Sequence, residues 1–157
     1  MSFRFSVEVR VRLPETDAMG IVFHGYFYTY FDVARMDYLR SLGLLDTFRT
    51  GESKNLVAHA SADFRSPARF DDVLVVHARI SAIGTTSVTF SFRVTHRAEG
   101  RLVAEGKSIH VMIDPESWKP VRVSDVFREA VRAFEGPDLI EQDRKNSPVR
   151  GDPRTRI

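Results

Sequence analysis

Residues 15–43 read ETDAMGIVFHGYFYTYFDVARMDYLRSLG, and the rest of the chain is organised around this stretch. Its second half is helical by periodicity. At about 100° per residue, Phe27, Tyr30, Phe31, Ala34, Tyr38 and Leu42 gather on one side, while Asp32, Arg35, Met36 and Arg40 lie on the flanks or the far side. The spacing predicts a helix from Tyr26 to Ser41 with Gly43 as its C-terminal cap. Asp32–Arg35 and Asp37–Arg40 stand three residues apart, the spacing of ion pairs on a solvated helix surface. So aromatic a face needs covering, which puts the helix at the centre of the fold. The first half is a loop with a single aspartate, Asp17, punctuated by Gly20 and Gly25.

Outward from this stretch the chain reads as strands. Over residues 3–13, Phe3, Phe5, Val7, Val9, Val11 and Leu13 alternate with Arg4, Ser6, Glu8, Arg10 and Arg12, the period of a half-buried strand. Pro14 ends it. Residues 44–51 read as a short turn or loop. Strands follow at 56–65, 73–83, 85–97 and 101–114. They are separated by the break SPARFDD at 66–72, by Gly84, and by the hairpin signal Ala98-Glu99-Gly100. Gly106, in mid-strand, signals a bulge or a close backbone approach. PESWKP at 115–120 is a turn, and Ser124 is the N-cap of a second helix with Phe127, Ala130, Val131 and Phe134 on one face.

After Gly136 the pattern stops. Residues 137–157 hold five basic and four acidic residues and three prolines, the composition of a flexible tail. The expectation is an α+β domain over residues 1–136: an antiparallel five-stranded sheet with helices on one face.

Bulk properties narrow the function. A chain of 157 residues builds one substantial core. A net charge of +2 gives no basic field that calls for nucleic acid. Without cysteine there is no disulfide framework, thiol nucleophile or thiolate metal site. No apolar run approaches the roughly 18 residues of a membrane span, and the alternating N-terminus is unlike a signal peptide. A cytoplasmic protein without membrane insertion is expected. No GxGxxG, phosphate loop or GxSxG is present.

Two side chains in the loop carry chemistry. Asp17 precedes the apolar MGIVF, so its carboxylate is expected against a hydrophobic wall, where burial raises basicity. His24 shares the loop and adjoins the helix N-terminus. Free N–H groups and the helix dipole there suit a carbonyl oxygen that becomes anionic. The other histidines, His59, His77, His96 and His110, lie in strand patterns and read as structural. No second ligand stands at metal spacing beside His24, so no metal is expected.

The run from Thr16 to Gly43 resembles the signature of the 4-hydroxybenzoyl-CoA thioesterase family of hotdog-fold acyl-CoA thioesterases. It is most similar to the short-chain branch typified by Tol-Pal-associated proteins. Asp17, Gly20, Ile21, Val22, Phe23, His24, Asp32, Ala34, Arg35, Leu39 and Gly43 match in order. So do Pro67, Ala68, Arg69 and Asp72 of the later turn, and the likeness spans about residues 5–135.

The resemblance implies a hotdog fold, a five-stranded antiparallel sheet wrapped around the long helix. It also implies an edge-to-edge homodimer that assembles into a homotetramer, with acyl-CoA bound at the dimer interface. No cofactor is implied, since CoA is part of the substrate. Asp17 would attack the thioester carbonyl or activate water, with the backbone N–H groups around His24 and Gly25 polarising that carbonyl. Gly20, Ile21, Val22, Phe23, Tyr26 and Phe27 would line the acyl pocket, completed by His59 and Ser61 of the other subunit. Thr85, Thr86 and Ser87 occupy the turn where some relatives carry basic residues for the CoA phosphates. Tyr26 stands where relatives carry a small residue or asparagine, which implies a reshaped pocket. The rival readings are a non-catalytic acyl-CoA-binding domain, which Asp17 argues against, and a hydroxyacyl-thioester dehydratase, which has a different loop context.

Overall fold

The central helix forms where its spacing predicts. In the computed structural model, which describes residues 2–143, α1 spans Tyr26–Ser41 and buries Phe27, Tyr30, Phe31, Ala34, Tyr38 and Leu39. One flank residue departs from expectation. Arg35 is only 8% exposed and lies in a cleft with Phe48, Asn55 and His110. Its Nε still meets Asp32 Oδ1 at 3.0 Å, so the pair has one buried and one solvated end. A long aliphatic stem lets a guanidinium reach its partner from a position that periodicity assigns to the flank. Arg40 pairs with Asp37 on the surface, as the spacing predicts.

Five long strands curl around α1: β1 (Phe5–Arg10), β2 (Lys54–Phe64), β3 (Val73–Ile83), β4 (Ser87–His96) and β5 (Leu102–Ile113). Their order is β1-β3-β4-β5-β2 and every neighbouring pair is antiparallel. A sixth, β6 (Ile140–Glu141), joins β3 in parallel at Ala82 and Ile83, one strand beyond the expected five. The β4 residues Val88, Phe90, Phe92 and Val94 point inward, with Phe92 stacked on Phe31 at 4.6 Å and Phe90 edge-on to Tyr38 at 5.7 Å. Gly106 keeps its register between Ala62 and Phe92, so there is no bulge at this glycine. A Cβ there would strike the Phe31 ring and sit 3.1 Å from Ser61 O, so glycine is what lets α1 press onto the sheet.

The 44–51 segment contains a single turn of helix, α2 (Asp46–Arg49). At the far end, α3 (Asp125–Glu135) is capped by the Ser124 hydroxyl, which accepts from Phe127 N at 3.3 Å. It is fastened through its last residue. The buried Glu135 carboxylate accepts from Tyr38 OH at 2.6 Å and from Ile80 N at 3.0 Å. Beyond Gly136 the chain continues through a 3-10 turn (Gly136–Asp138) and β6, and Asp143 pairs with Arg122 at 2.6 Å. Pairing thus persists past the point where the hydrophobic pattern fades. The remainder of the expected tail, residues 144–157, lies outside the described residues. No helix among the described residues is long and apolar enough to cross a membrane.

Candidate active site

The loop ahead of α1 is a small hairpin. Asp17 N donates to Ile21 O at 2.9 Å and Gly20 N to Asp17 O at 3.0 Å, closing a turn in which Gly20 takes φ +77°. Such a dihedral suits glycine, which has no Cβ to clash. Strand-like bridges join Thr16 to Val22 and Ile21 to Arg69, and Val22 N reaches Ala68 O at 2.8 Å. The SPARFDD break is therefore the platform on which the loop rests. That platform is rigid: Asp72 Oδ2 accepts from Arg69 N at 2.8 Å, and the Arg101 guanidinium donates to Ser66 Oγ and Pro67 O.

Between loop and platform opens a cavity of about 430 Å³, lined by Asp17, Ile21, Val22, His24, Phe27 and residues 64–68. Asp17 is half-buried at its wall, and Oδ1 accepts from Met19 N at 2.8 Å, which orients the carboxylate. Met19 itself is exposed, so the apolar wall is made by Ile21, Val22 and Phe27 with Phe64. His24 is held between Phe23, at 4.3 Å between ring centroids, and Phe64, at 6.1 Å. The α1 N–H groups of Tyr26, Phe27 and Tyr28 are taken by the carbonyls of Phe23, His24 and Gly25. Those of His24 and Gly25 make no hydrogen bond to the described residues. A Cβ at Gly25 would lie 2.9 Å from the edge of the exposed Phe23 ring, so a larger residue there displaces that side chain.

The cavity thus gathers Asp17, His24, Ile21, Val22 and Phe27 from the sequence reading, with Gly25 beside it. Gly20 forms the turn behind it. Phe23 and Tyr26 pack edge-on at 6.4 Å, outside the lining. His59 and Ser61 lie on β2, the sheet edge, and do not line the cavity of their own chain. Thr85, Thr86 and Ser87 lie at the β3–β4 turn, where Val123 N meets Thr85 O at 2.9 Å and Met112 N meets Thr86 O at 2.8 Å. Residues 64–68 form a wall of the site that the sequence reading does not assign to it. Its traces in the sequence are the proline-containing break and the likeness of Pro67 and Ala68 to the family's turn.

A second polar cluster lies on β5. His110 is buried, with Nδ1 3.2 Å from Asn55 Oδ1 and Nε2 2.8 Å from Ser108 Oγ. Asn55 Oδ1 can only accept, so Nδ1 carries the proton and Nε2 accepts from the Ser108 hydroxyl. Burial, and then the Arg35 charge, push the imidazole down to about 4, so it is neutral at physiological pH. His96 is likewise locked, with Nδ1 accepting from Glu99 N at 3.1 Å and Nε2 3.4 Å from Asp72.

Comparison with known proteins identifies relatives of this fold. The family model described as "Thioesterase superfamily" matches residues 19–104, more than half of the chain. The chain is 31% identical to the acyl-CoA thioester hydrolase YbgC of Escherichia coli O6:H1, over 74% of this chain and 87% of that protein. Among solved structures, a thioesterase from Thermus thermophilus, complexed with coenzyme A and zinc, superposes with a TM-score of 0.75 at 28% identity, covering 85% of this chain and 96% of its own. A 1,4-dihydroxy-2-naphthoyl-CoA thioesterase from Synechocystis shares the fold, with a TM-score of 0.77 at 24% identity over 85% of this chain and 98% of its own.

Proposed function

Because this chain belongs to the thioesterase superfamily, we propose that it hydrolyses the thioester of an acyl-CoA to a carboxylic acid and CoA, with Asp17 as the essential carboxylate. The observation that carries the reading is the cavity lined by Asp17 and His24 against apolar residues, beside which the backbone N–H groups of His24 and Gly25 make no hydrogen bond to the described residues. That combination suits acyl transfer, which needs a base or nucleophile on one side of a carbonyl and fixed donors on the other. The likeness to YbgC supports acyl-CoA as the substrate class, and the coenzyme A in the Thermus thermophilus structure supports CoA as the handle.

In this reading the substrate carbonyl oxygen points at the His24 and Gly25 N–H groups. Asp17 Oδ1 is held by Met19 N, leaving Oδ2 free to act. In the general-base route Oδ2 takes a proton from water, the hydroxyl adds to the carbonyl carbon, and the oxyanion rests on the two N–H groups. The tetrahedral adduct collapses with cleavage of the C–S bond, and the proton passes from Asp17 to the departing thiolate. In the nucleophilic route Oδ2 itself attacks, expelling the thiolate, and water then cleaves the mixed anhydride. Single-turnover hydrolysis in H₂¹⁸O tests the nucleophilic route, which label recovered in Asp17 identifies. If Asp17→Asn hydrolyses acyl-CoA as fast as the wild type, the reading is wrong.

The active form in this reading is a homodimer built through β2 and assembling into a tetramer. β2 is a long sheet edge with Leu56, Val57 and Phe64 exposed, Val57 at 58%. An edge of this kind is covered in a stable protein, and a second copy covers it symmetrically. His59 and Ser61 then face the partner's cavity.

A further inference from the structure

The period of two places Ser108 and His110 on one face of β5, the face toward α1, since their β4 partners Phe90 and Val88 are both buried. Asn55 reaches the same spot from β2, where it stands opposite Met112. The three side chains form a directed hydrogen-bond chain. Ser108 Oγ donates to His110 Nε2 at 2.8 Å, and His110 Nδ1 donates to Asn55 Oδ1 at 3.2 Å. Asn55 thereby fixes the tautomer that leaves the Nε2 lone pair for the serine proton. None of the three lines the cavity that holds Asp17.

A separate cavity of about 180 Å³ opens at the serine end of this chain. Ser108 and His110 line it, with Tyr28 and Asp32 of α1 and Val57 and Ala60 of β2, the last four exposed. The Tyr28 hydroxyl makes no hydrogen bond to the described residues, so its O–H is free for a ligand. Asp32 is paired with Arg35 at 3.0 Å, which offsets its charge beside the cavity. In a homodimer built through β2 a second copy narrows the mouth, which restricts the site to small substrates.

A serine within hydrogen-bond reach of a base, itself oriented by a third group, is the arrangement that activates a hydroxyl. We infer that Ser108 is a second nucleophile, taking a short acyl group from an activated ester in this cavity, with His110 as general base and Asn55 as the residue that positions it. Ser108 Oγ attacks the carbonyl carbon as its proton passes to His110 Nε2, and the Tyr28 O–H is the donor available to the oxyanion. The adduct collapses with cleavage of the bond to the leaving alcohol, which takes the proton from Nε2, and Ser108 keeps the acyl group as an ester. Water, giving its proton to the same Nε2, then adds to that ester, and its collapse releases the acid and returns the proton to Ser108. His110 is neutral at physiological pH and ready to accept, but an imidazole that titrates at about 4 is a weak base. The site is therefore matched to esters with good leaving groups.

The probe is methanesulfonyl fluoride, a small electrophile that traps an activated serine as a stable sulfonate. The Oγ–S bond forms as S–F breaks, and HF leaves. The full chain gains one methanesulfonyl group, which peptide mapping by mass spectrometry places on Ser108. Asp17→Asn gains it equally, which separates this site from the thioesterase one, and Ser108→Ala gains none. His110→Gln, which has no base, slows labelling by roughly a hundredfold, the lower end of what a general base supplies. Asn55→Ala slows it too, and Asn55→Asp, which again accepts from Nδ1, restores it. Melting curves confirm that each variant is folded. Asp17→Asn also hydrolyses p-nitrophenyl acetate, and the methanesulfonyl group removes that activity. Absence of label on Ser108, labelling as fast in folded His110→Gln as in the wild type, or loss of label in folded Asp17→Asn overturns the proposal.

Discussion

Two carboxylates stand two residues apart in the loop before α1, in opposite circumstances. Glu15 is 2% exposed, and both its oxygens are taken: Oε1 accepts from Arg12 N at 2.8 Å and Tyr30 OH at 2.9 Å, Oε2 from the Arg12 guanidinium at 2.9 and 2.7 Å. Burial alone would push this carboxyl up, but those donors outweigh it and hold it below the usual range. Asp17 accepts one backbone N–H and otherwise borders a 430 Å³ cavity. Glu135, buried at the other end of the helix, accepts from Tyr38 OH and Ile80 N on Oε1, with Arg79 Nε 4.0 Å from Oε2. Buried carboxylates fastened by donors hold this protein together, and Asp17, with one donor and a cavity beside it, is available for chemistry. Counting partners separates the two roles where residue type cannot.

The largest expected effect is kinetic. Asp17→Asn keeps an oxygen for Met19 N but loses the free carboxylate, so kcat falls by roughly 10²–10⁴ while the thermal midpoint stays close to the wild type. Steady-state thiol release beside a melting curve checks both halves. Loss of stability in place of activity would put Asp17 in the same class as Glu15.

That division was only partly legible in the sequence. The α1 bounds and the β3 bounds follow from periods of 3.6 and 2, because their apolar faces meet the core along their full length. Asp17, His24 and Phe27 could be grouped because they share one short loop–helix junction. The opposite wall, residues 64–68, comes from more than thirty positions later, and nothing local in those residues marks them as facing Asp17. Glu15 was unremarkable for a related reason: its burial depends on Tyr30 reaching back from the helix. Arg35 was placed in solvent because helical angle ignores how far a guanidinium can reach. The two-residue β6 carries too little pattern to be seen at all.

Glu15→Ala is expected to act on stability. It strands Tyr30 OH and the Arg12 N–H, costing about 2–3 kcal/mol. A urea unfolding midpoint measures this, and residual activity of the folded protein shows that the loop's chemistry is separate from its anchoring. Tyr38→Phe sharpens the comparison further. It keeps the ring against Phe90 but takes a donor from buried Glu135, which still has Ile80 N, so about 1–2 kcal/mol is lost and activity is kept.

A last effect lies in the acid limb of stability. His110 titrates at about 4 in the folded chain, below the ordinary histidine value of about 6.5. The unfolded chain therefore binds the proton first. Its contribution is complete above about pH 6.5, declines as pH falls toward 4, and levels below that. Glu15, held below its ordinary value of about 4.3, adds a second decline that begins only in that lower range. His110→Phe should remove the first decline and Glu15→Ala the second, as read from urea midpoints across pH.

The most direct test of the account is thiol release by the wild-type protein from a panel of short, long and aromatic acyl-CoAs. The chain's lack of cysteine keeps the background of that assay low. The account predicts catalytic turnover of at least one member, with one CoA thiol and one carboxylic acid formed per thioester lost. Tight binding without thiol release across the panel, or modification of the acyl chain with the thioester intact, would contradict it.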